Sequence, residues 1–286
     1  ELYICSMCCV KNIVAGLGLL FLFNSGLRAQ HYHQAFSQQE QLRLEREMTK
    51  PGLGYFTSVK PYRVSALKPL FSPDSIFSVR APKGRFARTW VGRKLFSEHL
   101  VQVYTPNFSL EVDPAFDFSV GRVFGDRNTW FNTRGVQLRG NLGKHISFGS
   151  EFYENQAALP DYVAGFADSA KIVPGMGRTK SFKESAYDFA FANGYVRYQP
   201  KSFIGFELGH GRHFIGDGYR SLLLSDAGFN YPYLKIETEV WKFKYVNIFA
   251  EFQDITPSMA GDNLNFKKYG TFHYLTFTPT DGLEIG

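Results

Sequence analysis

The stretch LKIETEVWKFKYVNIFAEF, Leu234 to Phe252, sorts its side chains by parity. Leu234, Ile236, Thr238 and Val240 alternate with Lys235, Glu237 and Glu239. After a tight turn at Lys242 and Phe243, Val246, Ile248, Ala250 and Phe252 alternate with Asn247 and Glu251. Successive side chains of a β-strand leave the backbone on opposite faces, so a period of two predicts strands. The stretch reads as a hairpin with one apolar and one polar face.

The same pattern runs outward from there. Phe116, Phe118 and Val120 alternate with Asp117, Ser119 and Gly121. Ile146, Phe148 and Phe152 alternate with Ser147, Gly149 and Glu151, and Ile204, Phe206 and Leu208 with Gly205 and Glu207. The connections sort by length. NLGK (Asn141 to Lys144), QPKS (Gln199 to Ser202), Lys242 with Phe243, and TPTDG (Thr278 to Gly282) are short. Asn155 to Tyr187, Gly211 to Asn230 and Ile255 to Lys268 are long. Strict alternation of short and long connections is the habit of outer-membrane barrels, with brief periplasmic turns and longer extracellular loops.

The N-terminal region points the same way. Ile13 to Phe23 is an apolar run shorter than the roughly 20 residues a helical span needs. Lys11 precedes it, and Ser25, Gly26 and Ala29 follow. Residues 1–29 are therefore expected to be a signal peptide starting at Met7, with foreign residues before it. All three cysteines, Cys5, Cys8 and Cys9, precede the apolar run. The exported chain then has no disulfide, thiolate metal site or cysteine nucleophile. A chain with 29 Phe and 16 Tyr but no second long apolar run fits alternating strands. The formal charge of +6 comes without a basic run interleaved with aromatics, which argues against nucleic acid.

In hydrocarbon every backbone group must pair internally, so an exported chain without helical spans crosses as a closed barrel. The expected fold is all-β, an antiparallel transmembrane barrel of the outer membrane with a short N-terminal helix; a secreted β-sandwich is the alternative. Ser37 and Glu40 have capping-box spacing, which predicts the helix up to Met48. Residues 30–85 form the N-terminal helical and loop segment and 86–286 the barrel part. The apolar faces meet lipid; Glu151, Arg197, Glu207, Glu237, Glu239 and Glu251 face the lumen. The closing DGLEIG reads as the start of another strand, so the chain is expected to be a C-terminally truncated piece of a longer barrel.

TWVGRKLFSEHLV (Thr89 to Val101), DPAFDFSVGR (Asp113 to Arg122), NTRGVQLRGNLGKHISFGSEFYENQAALPDYV (Asn132 to Val163) and HGRHFIGDGYRSLLLSDAGFNYPYLKIE (His210 to Glu237) carry a family resemblance. They are similar to the capsule-assembly outer-membrane family typified by Wzi, most of all to its gliding-bacterial branch labelled gliding-motility protein RemB. The resemblance implies a barrel of about 18 strands with a largely plugged lumen. It further implies a surface lectin that holds capsular or other polysaccharide, with no cofactor.

The long connection His210 to Pro232 resembles an active-site loop in composition. It offers His210, His213, Asp217, Ser221 and Asp226, an inventory for a Ser–His–Asp set, but no G-x-S-x-G elbow. Its GDG lacks the remaining oxygen ligands of a calcium loop. The stronger reading is a folded-in plug, with Leu222, Leu223 and Leu224 packing and Arg220 pairing with lumen acids. No catalytic or metal residue is assigned, and His31 and His33 read as solvated. Sugars present apolar faces and paired hydroxyls, which aromatic rings and planar polar side chains match. The candidate polysaccharide-binding residues in the long loops are Tyr162, Phe166, Arg178, Tyr219, Arg220 and Asn230. A diffusion porin, which needs an open lumen, and an accessory or adhesive protein of gliding or secretion machinery are the other readings.

Overall fold

The computed structural model describes residues 38–50, 57–67, 84–96, 98–123, 127–183, 185–253, 266–280 and 283–286. The expected leader, Ser37, His31 and His33 lie outside them, as does most of the Ile255 to Lys268 connection. Four helices are described: α1 (Gln38–Met48), α2 (Val64–Leu67), α3 (Trp90–Phe96) and α4 (Asp161–Ala170). The strands are β1 (Val59–Lys60), β2 (Val101–Thr105), β3 (Phe108–Arg122), β4 (Asn128–Leu142), β5 (Ile146–Ala158), β6 (Ile172–Val173), β7 (Gly177–Phe182) and β8 (Ala186–Lys201). They continue with β9 (Ile204–Gly211), β10 (Phe214–Ile215), β11 (Tyr231–Val240), β12 (Phe243–Gln253), β13 (Lys267–Thr280) and β14 (Leu283–Ile285).

The chain is mostly antiparallel β-sheet with few helices. The main sheet runs β14-β13-β12-β11-β9-β8-β5-β4-β3-β2, each strand hydrogen-bonded antiparallel to the next. β7 joins the start of β8, and β6 pairs with β7. Among the described residues β2 and β14 pair with no further strand, so the sheet is open there. The short turns after Leu142, Lys201, Val240 and Thr280 share one end of the sheet; α4, β6, β7 and β10 lie in the long connections. Leu142 faces Phe108 and Ile146, and Val240 faces Phe243, so the turns hold register to the strand ends.

Residues directly opposite one another share a face. The register therefore assembles one continuous face from Phe116, Phe118, Val120, Val136, Phe152, Val196, Leu208, Leu234, Phe249 and Leu275. These side chains are exposed; Phe116 is 76% and Leu208 66% accessible. The opposite face is polar and, in the middle of the sheet, covered: Arg197, Glu207, Lys235 and Glu237 are buried.

β12 departs from the expected sidedness. Val246 lies opposite Glu237 and Ile248 opposite Lys235, so Val246, Ile248 and Ala250 are on the polar, covered face. Glu251, expected in the lumen, shares the outward face with Phe249 instead. The two-residue turn at Trp241 and Lys242 puts Phe243 opposite Val240 and fixes this parity. Val246, Ile248 and Ala250 are apolar because other residues of the chain bury them.

That cover is the N-terminal segment together with the Gly211 to Asn230 connection. β1 pairs with β10, Val59 opposite Ile215 and Lys60 opposite Phe214. Val59, Ile215 and Leu224 then pack with Tyr231, Tyr233, Val246, Ile248 and Ala250 in one buried cluster. Burying a Val or Ile side chain contributes about 1.5–3 kcal/mol. Leu44 and Met48 of α1 pack on Tyr62 and Leu67. α4 covers the far end of β5 and β8: Ala164 and Ala167 sit against Ala157, Tyr187 and Phe189. The Tyr187 hydroxyl donates to Asp168 Oδ1 at 2.8 Å.

Candidate functional site

Beneath the cover lies a chain of buried charge. Arg197 Nη1 is 3.3 Å from Glu207 and 3.2 Å from Glu237; Lys235 is 2.9 Å from Glu207, and Lys244 3.1 Å from Glu237. Arg63 reaches in from the N-terminal segment to Glu237 at 3.2 Å and Glu239 at 3.1 Å. The Tyr233 hydroxyl donates to Glu207 at 2.8 Å, and Arg197 donates to Gln199 Oε1 at 2.7 Å. A Cβ at Gly205 would stand 2.4 Å from the Arg197 guanidinium, so only glycine leaves room for it. Buried ions need partners on every side, and here the two buried carboxylates, Glu207 and Glu237, are each matched to more than one cation. The arrangement ties the cover to the sheet. Arg197, Glu207, Glu237 and Glu239 were legible by parity; Lys235, Lys244 and Arg63 were not assigned, though Lys235 shares the parity of Glu237.

The loop after β9 is built on its own hydrogen bonds. Arg212 Nη1 donates to Gly175 O at 2.8 Å and Asp226 O at 2.9 Å, joining the two long connections. Burial lowers the Arg212 pKa, and Asp226 opposes the shift. Gly216, at φ +144°, donates to Ser58 O at 2.9 Å. Ile215 N donates to Leu224 O at 3.1 Å, and the Ser221 hydroxyl donates to Ile215 O. The His213 ring instead meets the Tyr231 hydroxyl at 3.2 Å, and Asp217 accepts from Ser58 Oγ at 2.7 Å. Ser221, His213 and Asp217 therefore serve separate structural bonds.

Two details differ from the plug as expected. Leu224 alone of the three leucines is buried; Leu222 and Leu223 are exposed, because Ser221 turns the backbone by accepting from Leu223 N at 3.2 Å. Arg220 does not reach the acids of the sheet. It pairs with Asp226 of its own loop at 3.1 Å, and its guanidinium lies 4.3 Å from the Tyr219 ring centre.

A cleft of about 550 Å³ opens where this loop meets the ends of β9, β11 and β12. Phe229, Tyr231, Pro232 and Phe252 supply its apolar walls, and His210, Ser225, Asn230, Glu251 and Gln253 its polar groups. Asn230 is buried; its Nδ2 donates to Ala192 O at 2.6 Å, while its Oδ1 has no partner among the described residues. The Phe229 ring lies so close to Gly177 that a Cβ there would be 2.5 Å away. This brings Arg178, the next residue on β7, near the cleft without lining it. Tyr219 and Arg220 form an exposed stack on the same loop. Tyr162 and Phe166 stand exposed on α4 and do not line the cleft. Of the six candidates Asn230 alone lines it; Phe229, Tyr231 and Phe252 complete it, gathered from the ends of two strands and a loop. Among the described residues no group of three or more His, Cys, Asp or Glu is placed to hold a metal ion. Comparison with protein-family models, curated sequences and solved structures finds no match.

Proposed function

We propose that the chain forms part of an outer-membrane β-barrel, of the Wzi type and its gliding-bacterial RemB branch, that binds surface polysaccharide without chemistry and anchors it to the cell. The observation that carries the reading is the sorting of the two sheet faces. An exposed apolar face spanning many strands far exceeds the few hundred Å² that soluble proteins leave in water. Lipid is the solvent that suits it, and the polar face then becomes the lumen wall. In hydrocarbon the free edges of β2 and β14 need strand partners, which a closed barrel supplies. The N-terminal segment and the loop cover the lumen side, which favours a plugged binding protein over a diffusion porin. The long connections, with their aromatic and planar polar groups, then face the cell exterior.

The test pairs a deletion strain with purified full-length protein. The expected results are loss of cell-attached polysaccharide, restored by complementation, and low conductance in planar bilayers. Unchanged polysaccharide attachment with a large steady conductance would replace this reading with a porin.

A further inference from the structure

We propose that the cleft beside Asn230 takes one neutral sugar residue of the polymer, its ring face on Phe229 and Phe252 and an O–H or N–H donated to Asn230 Oδ1. The inference rests on the polysaccharide-binding reading and narrows it to a place and a sugar class.

Asn230 supplies the first reason. Its Nδ2 is fixed by Ala192 O at 2.6 Å, which orients the amide and leaves Oδ1 as the acceptor. The side chain is only 6% exposed and its Oδ1 has no partner among the described residues. Buried acceptors are normally satisfied, so an incoming donor gains a bond that water reaches poorly.

The rings supply the second. Phe229 is held by Gly177 on one side and lies edge-on to His210, ring centres 6.3 Å apart. Tyr231 lies 4.7 Å from Phe252. Rings fixed in advance offer a flat apolar surface without an ordering penalty. The volume of about 550 Å³ is that of a small-ligand site, so it accepts a short piece of chain.

Charge decides the class. An anionic sugar calls for a cation, best a bidentate arginine. Among the described residues no lysine or arginine lines the cleft, and the one lining carboxylate, Glu251, is paired with Lys267 at 2.8 Å. Arg212 is directed at backbone carbonyls and Arg220 at Asp226 and Tyr219. A uronate would meet Glu251 with no counter-charge among the lining residues.

The experiment measures binding of full-length protein in detergent micelles to surface polysaccharide stripped from the producing cells. The polymer is used native and after carboxyl reduction, which turns uronic acids into neutral sugars. Reduction should leave the affinity unchanged, whereas Asn230→Ala and Leu223→Trp should each weaken it about tenfold. Leu223→Trp fills the cleft mouth from an exposed position, so it decides the matter if Asn230→Ala, having lost the Ala192 bond, does not fold. Loss of binding on carboxyl reduction, or unchanged affinity in both folded variants, overturns the cleft assignment and leaves polysaccharide binding standing. Failure of the wild-type protein to bind native polymer overturns both.

Discussion

Arg63 Nη2 lies 3.2 Å from Glu237 Oε1, joining the N-terminal segment to the middle of β11. Glu237 also faces Arg197 at 3.2 Å and Lys244 at 3.1 Å. The two partners of the Arg63–Glu237 pair are therefore unequal. Glu237→Gln strands several buried cations at once and should cost about 3–5 kcal/mol. Arg63→Ala leaves Glu237 with two cations and should cost less than about 3 kcal/mol. Urea unfolding of the detergent-solubilised protein measures both. Equal losses would mean that contact with the N-terminal segment, and not charge balance, sets the effect.

The outward face distinguishes lipid from water by one substitution. Leu208 is 66% exposed and sits between Val196 and Leu234. Leu208→Arg should destabilise the protein by about 2–4 kcal/mol when it is folded into vesicles, as arginine does at mid-bilayer on barrels. At a water-facing position the same change stays within about 0.5 kcal/mol. The smaller value would show that this face meets water.

Sidedness follows from the placement of the connections. Leu222 and Tyr162 are exposed in the long connections, and Ser202 in a short turn. On intact cells Leu222→Cys and Tyr162→Cys should react with an impermeant thiol reagent and Ser202→Cys should not. Equal labelling of all three would contradict the barrel topology.

The Tyr219–Arg220 stack offers an exposed aromatic face beside a guanidinium. Tyr219→Ala should weaken polysaccharide retention roughly threefold to tenfold, the equivalent of an aromatic contact of about 0.5–1.5 kcal/mol. Lys201→Ala, at the short-turn end, should leave retention unchanged at equal outer-membrane levels. An effect of the same size from Lys201→Ala would point to a general charge effect.

The sequence revealed most where the physics is local. Period-two alternation located β3, β5, β9, β11 and β12, and the connections marked the end of β4 and bracketed β8 and β13, because both signals depend on neighbouring residues alone. β2 lay before the stretch read as strands, although Val101 and Val103 alternate with Gln102 and Tyr104. α4 hid inside a long connection; Ala164 and Ala167, three apart on its buried side, were the available signal. The sidedness of β12 was not legible, since an apolar parity says that a face is covered and not whether lipid or protein covers it. The amide of Asn230 marks it as a candidate in the sequence, but its cleft depends on Phe252 and Gly177, brought to it by pairing between distant strands. The docking of Arg63 on Glu237 is of the same long-range kind.

The pairing of β1 with β10 also bears on how fast the protein folds. Val59 and Lys60 meet Ile215 and Phe214 across a long stretch of chain, over a surface supplied by β11 and β12. Contacts this far apart in sequence form slowly, because a long loop must close before any of them is rewarded. The cover over Val246 and Ile248 therefore carries a loop-closure cost that the hairpins of the sheet do not.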